Sequence, residues 1–156
     1  MRRGQAGLAA LARSPDTDGR FAAIGFCFGG LTVLALARAG EELARAGEEL
    51  AGVASIHGSL ATTRPAEPGS VKPRVLVCHG ALDPHVPLDH VTGFADEMNV
   101  ARADWQLIMY GGALHGFTHR RAVPGATPGV AYDALADARS FAATRAFLAE
   151  AFAETA

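Results

Sequence analysis

Several large protein classes are excluded by what this sequence has little of. It holds two cysteines in 156 residues, too few for a disulfide framework, so a reducing cytoplasm is the default location. Its apolar runs fall well short of the length that crosses a bilayer, and no membrane span is expected. Charged residues make up 19% and the net charge is −2. Apart from Arg2-Arg3 and Arg120-Arg121 the basic residues are scattered, so nucleic acid is not an expected partner. His-x-His and Cys-x-x-Cys pairs are missing too. His57, His79 and His115 therefore make a poor case for a metal site, and none is expected. The start, Met1-Arg2-Arg3 before an alanine-rich stretch, has the outline of an export signal. Gln5 and Gly7 interrupt it, and Leu8 and Leu11 sit at helical spacing, so it reads as a soluble amphipathic helix.

What is present is a core-forming composition. Hydrophobic residues reach 49%, enough for one folded domain over residues 1–156. Helical and strand patterns alternate along it. Helices are expected at Gly4–Arg13, Phe28–Ala39, Leu88–Met98 and Tyr132–Phe152, the last with Leu135, Ala138, Phe141, Leu148 and Phe152 on one face. Short apolar runs at 21–24, 53–56, 75–78 and 105–110 read as strands, with Cys78 as inert core. This order predicts an α/β fold with a parallel half-sheet of about four strands flanked by helices, and places function at the carboxyl ends of the strands.

Residues 37–43 are repeated unchanged at 44–50. A single tandem copy is too short for a repeat array. Either it lengthens one helix by about 10 Å at 1.5 Å per residue, or Gly40 caps the helix and the second copy is a surface loop. Both readings make it a tolerated insertion.

Gly25-Phe26-Cys27-Phe28-Gly29-Gly30 follows a strand and opens a helix. It has the G-x-S-x-G pattern of a nucleophile elbow, with Cys27 as nucleophile. Gly25 and Gly29 are expected to be glycines because flanking side chains would collide at the turn. At a helix N-terminus the dipole and free N–H groups favour a thiolate, and the Phe28 N–H is a candidate oxyanion donor. Asp83 follows the third strand and His115 the fourth, which gives the chain order nucleophile, acid, histidine. Asp89 and His119 are the weaker candidates for acid and base.

These motifs resemble the dienelactone hydrolase family of α/β hydrolases. The likeness runs through residues 22–30, Ser55-Ile56-His57-Gly58, Val75 to Pro84, Trp105-Gln106-Leu107, Gly111 to Thr118 and Gly129-Val130-Ala131-Tyr132. It implies a Cys27–His115–Asp83 triad that hydrolyses a lactone or small ester, through a cysteinyl acyl-enzyme, without a cofactor. In this family further strands precede the first strand seen here. They bring the second oxyanion N–H, a glutamate near the resting nucleophile and part of the substrate pocket. His119 and Arg120 stand where family members that act on dienelactone place a carboxylate-holding arginine. A strand at 21–24 lacking its outer neighbour invites pairing with another chain, so a homodimer through that edge, a covering segment or poor solubility is expected. The rival readings are a truncated chain with impaired catalysis and a redox or electrophile sensor built on an exposed thiol.

Overall fold

Period-two alternation explains how each strand feeds two apolar layers at once. The computed structural model describes residues 2–153; Met1 and residues 154–156, at the ends of the expected domain, lie outside them. In chain order the elements are α1 (Arg2–Ala12), β1 (Ala22–Phe26), α2 (Phe28–Arg38), α3 (Gly40–Arg45), β2 (Gly52–Ile56), β3 (Arg74–Gly80), α4 (Leu88–Val100), β4 (Trp105–Tyr110) and α5 (Ala134–Ala151). The strands form one sheet in the order β1-β2-β3-β4, parallel at every pairing. Val53, Val75 and Val77 point into a layer with Val33 and Leu34 of α2 and Phe94 and Met98 of α4. Ala54, Ile56, Leu76 and Cys78 point the other way, toward Ala136 and Phe147 of α5. The four-stranded parallel half-sheet expected from the pattern is the one found. No helix among the described residues is long and apolar enough to cross a membrane.

Three details depart from expectation. β1 runs two residues beyond Ile24, through Gly25 and Phe26, directly into the elbow. In α1, Leu8 joins the core but Leu11 stays exposed. The buried face of α5 is Ala136, Ser140, Thr144 and Phe147, whereas Leu135 and Phe141 of the expected face are 58% and 65% exposed. Small residues face inward because α5 lies close to the sheet: a Cβ on Gly52 would meet the Phe147 ring at 3.0 Å. The two inward hydroxyls are satisfied inside the helix, Ser140 by the Asp137 carbonyl and Thr144 by the Ser140 carbonyl, so burying them costs little.

The identical heptads adopt different structures. The first closes α2 at Arg38 and opens α3 at Gly40, so Gly40 starts a helix rather than capping one. It is buried, and a Cβ there would lie 2.8 Å from the Lys72 amide nitrogen. The second copy leaves α3 after Arg45 and turns at Gly47, φ 72°. Glu48 N–H donates to the Leu43 carbonyl at 2.9 Å and Gly47 N–H to Ala44 at 3.0 Å. This pair of bonds is a Schellman cap. Leu43 and Leu50, the last residue of each copy, are both buried.

α2 and α4 are also linked by an ion pair. Arg38 donates Nε–H and an Nη2–H to the two Glu97 carboxylate oxygens at 2.8 Å each, with side chains only 9% and 8% exposed. The Leu60 carbonyl and Ala66 N–H complete its hydrogen bonds, which ties the segment after β2 to both helices.

Candidate active site

β1 passes into α2 through one residue, Cys27, whose backbone stands at φ 51°, ψ −115°. A non-glycine residue held there is strained, and the surrounding packing must impose it. Gly25 is required: a Cβ would overlap the carbonyl of Gly29. Gly29 itself meets nothing, so the steric need expected at that position falls instead on Gly30. A Cβ on Gly30 would come within 2.6 Å of Ser55 Oγ and 2.8 Å of Gly58 Cα. The elbow is thereby pressed against the exit of β2. Cys27 is exposed, and Phe28 opens α2, where its N–H has no acceptor within the helix.

The acid and the histidine come from the ends of β3 and β4. Asp83 lies three residues past β3, with its side chain fully buried. Its Oδ1 accepts the N–H groups of His85 at 2.8 Å and Val86 at 3.3 Å. That turn leaves Oδ2 free for His115 Nδ1, 2.8 Å away. His115 Nε2 in turn lies 3.2 Å from Cys27 Sγ. Gly80 permits this approach, because a Cβ would meet the Ala113 and Leu114 carbonyls at 2.6 and 2.8 Å. The strand-like segment around Val130 straps the histidine loop: His115 N–H donates to Gly129 and its carbonyl accepts from Ala131. Gly129, at φ 73°, packs on Pro84 beside the acid.

Electrostatics follow from these contacts. The hydrogen bond to Asp83 is the main reason His115 is pushed up to about 9; burial opposes it, and Cys27 adds to it. Burial alone would raise Asp83, but the bonds from His115 and the His85 N–H outweigh it and hold the carboxyl below its ordinary value. A histidine so placed carries its second proton at neutral pH, and an imidazolium 3.2 Å from sulfur is the partner a thiolate requires.

Cys27, Asp83 and His115 are thus brought together from three strand ends. His119 joins Cys27 and His115 on a cavity of about 600 Å3, also lined by Phe26, His57, Gly116, Thr118 and Val130; Asp83 lies buried behind His115. Arg120 does not reach it; its side chain is 81% exposed and lies 3.6 Å from Asp137. Asp89 is exposed in the first turn of α4. Among the described residues no group of three metal-ligating side chains is arranged around one point.

Sequence reasoning missed His57, which it weighed only as a metal ligand. His57 follows β2 at φ 41° and is buried. Its Nδ1 accepts the Cys27 N–H at 3.2 Å and its Nε2 lies 2.9 Å from Thr118 Oγ1. Its ring meets those of His115 and Phe117 edge-on, at 5.4 and 5.1 Å. Burial, then repulsion from His115, lowers it to about 4. The available signal was its place at the carboxyl end of the strand beside the elbow.

A parallel sheet whose strand ends bring together an elbow cysteine, an aspartate and a histidine, in that chain order, is an α/β-hydrolase architecture. The chain belongs to the dienelactone hydrolase family, whose model matches residues 1–152. It is similar to the crystal structure of a dienelactone hydrolase-like promiscuous phosphotriesterase from metagenomic libraries, at 41% identity and a TM-score of 0.86. That match covers 97% of this chain and 61% of the other. A second solved structure, m3DLH, matches at 38% identity and a TM-score of 0.84, over 97% of this chain and 63% of its own. The uncharacterized Caenorhabditis elegans protein K02A2.1 is 38% identical, over 96% of this chain and 92% of its own length. The chain therefore spans under two thirds of the two solved relatives and nearly all of the worm protein.

Proposed function

We propose that this chain hydrolyses a lactone or small carboxylic ester through Cys27, His115 and Asp83. The observation that carries the reading is the chain of contacts from Cys27 Sγ to His115 Nε2 at 3.2 Å and from His115 Nδ1 to Asp83 Oδ2 at 2.8 Å, beside an apolar cavity. Membership of the family and the 41% identical hydrolytic relative support the reaction class.

In this mechanism the Cys27 thiolate attacks the ester carbonyl carbon, a C–S bond forms, and the carbonyl oxygen takes the negative charge. The Phe28 N–H donates to that oxyanion. As the intermediate collapses, the C–O bond breaks and the His115 imidazolium gives its proton to the departing alkoxide. Neutral His115 then takes a proton from water, the hydroxide attacks the thioester, and Cys27 leaves as thiolate. Asp83 stays ionised, fixing the imidazole tautomer and stabilising each imidazolium. His119, on the cavity wall, is the candidate substrate contact.

Incubation with p-nitrophenyl esters followed by intact-mass measurement tests this. An acyl adduct on Cys27 is expected during turnover, with turnover abolished in Cys27→Ala and cut at least about a hundredfold in His115→Ala. An aryl phosphotriester is a second probe, after the named activity of the 41% identical relative. Turnover that survives Cys27→Ala removes the cysteine mechanism. No turnover, with reversible oxidation of Cys27 by peroxide, favours a thiol sensor instead.

A further inference from the structure

We propose that His57 is a positioning residue that locks the Cys27 elbow to the His115 loop, and that it does so as a neutral imidazole. The inference rests on Cys27 and His115 working as a pair, and it adds a member that the nucleophile–histidine–acid set does not contain.

The hydrogen bonds fix the state of the ring. Nδ1 accepts from the Cys27 backbone N–H, so it carries no proton. The remaining ring proton sits on Nε2 and donates to Thr118 Oγ1. Protonating Nδ1 would set one N–H against another and bring a second cation beside His115. The titratable groups around the ring act in one net direction. His115 and His119 repel a charge, Asp83 attracts one more weakly than His115 repels it, and burial opposes a charge most of all. His57 is therefore neutral where His115 is charged, although the two rings touch.

The same bonds explain a mechanical task. Cys27 sits in a strained conformation, and its N–H is shared between the Ile56 carbonyl at 3.0 Å and His57 Nδ1 at 3.2 Å. Thr118 is three residues beyond His115 on one loop. One rigid ring thus spans from the nucleophile's own backbone to the loop that carries the base, and it sets the separation between Sγ and Nε2. Ile56 anchors the elbow to the sheet, and His57 ties the elbow's backbone to the base loop as well.

The test uses the whole chain and needs no ester. In 1H–15N spectra His57 is expected as the Nε2–H tautomer, unchanged from pH 5 to pH 9. Thr118→Val keeps the side-chain shape and removes the acceptor. It is expected to slow iodoacetamide labelling of Cys27 about five- to tenfold at pH 7, and to move the pH profile of labelling toward that of His115→Ala in a chain that still folds and unfolds cooperatively. His57→Phe is expected to do the same more strongly. His57→Asn, whose amide oxygen can still accept from Cys27, is expected to recover most of the loss. Titration of His57 between pH 5 and pH 8, or a Thr118→Val profile identical to that of the unaltered chain, overturns the proposal. A chain that turns over no ester but passes both measurements leaves this inference standing and sinks only the hydrolase reading.

Discussion

Replacing Asp83 with asparagine removes the charge that holds the second proton on His115, and the structure sets the size of the effect. The His115 side chain is 15% exposed, so solvent screens the pair little. A rise from the ordinary 6.5 to about 9 corresponds to about 3 kcal/mol, at about 1.4 kcal/mol for each tenfold change in proton affinity. Because the folded chain holds this proton more tightly than the unfolded one, the stabilisation is complete below pH 6.5 and is lost as pH rises through about 9. Asp83, held below its ordinary value, has the opposite dependence: its share is lost only as pH falls below the carboxylate range. The window from pH 6 to pH 10 therefore belongs to His115. For a chain of this size about 1 kcal/mol moves the melting temperature by roughly 2–4 °C. The gap in melting temperature between the unaltered chain and Asp83→Asn should thus shrink by roughly 6–12 °C between pH 6 and pH 10. Calorimetry at the two pH values reads this directly. Repeating it with Cys27→Ser in both chains removes the thiol's contribution to His115, and most of the effect should remain because Asp83 is the larger cause. A gap that stays constant across the range refutes the argument, since Asp83 would then not be what keeps His115 charged.

Gly25→Ala drives a methyl group into the Gly29 carbonyl and is expected to abolish Cys27 labelling and lower the melting temperature, while Gly29→Ala, which meets nothing, leaves both nearly unchanged. Arg38→Ala strands the buried Glu97 carboxylate and should cost about 3–5 kcal/mol in urea unfolding; a loss under about 1 kcal/mol would mean that water reaches the pair. The exposed β1 edge, with Ile24 and Phe26 46% and 53% exposed, is expected to drive self-association that Ile24→Lys abolishes; sedimentation that gives the same monomer for both chains counts against it.

What was legible in the sequence follows the range of the interaction that decides it. Each strand is a short apolar run bounded by turn residues, and parallel order follows where helices separate the strands; β2 and β3 are parallel too, although the 17 residues between them form no helix. The elbow was readable because one of its constraints is local: a Cβ on Gly25 would overlap the carbonyl of Gly29, four residues on, whereas the need at Gly30 comes from Ser55 and Gly58 across the sheet. The orientation of α5 was not, because nothing within the helix reports how close the sheet lies. Leu135 and Phe141 form a plausible apolar face by periodicity, yet Ala136, Ser140 and Thr144 are the residues small enough to let α5 approach β2 and β3.

The heptads show the same limit within fourteen residues. Two identical segments end as a helix junction and as a capped turn, so the difference between them lies in their neighbours. Gly40 is pressed against the Ser70–Pro73 backbone, where no side chain fits, and Gly47 is free to take φ 72° in open space. His57 is the functional form of that limit. Read along the chain it is one histidine after an apolar strand, and the metal-ligand role weighed for it there found no support in the spacing. What determines its state lies 30 residues away at Cys27 and 61 residues away at Thr118. Burial, two hydrogen bonds and a charged neighbour favour the neutral ring. A residue type able to switch is thereby held still, 5.4 Å from the histidine proposed to move a proton.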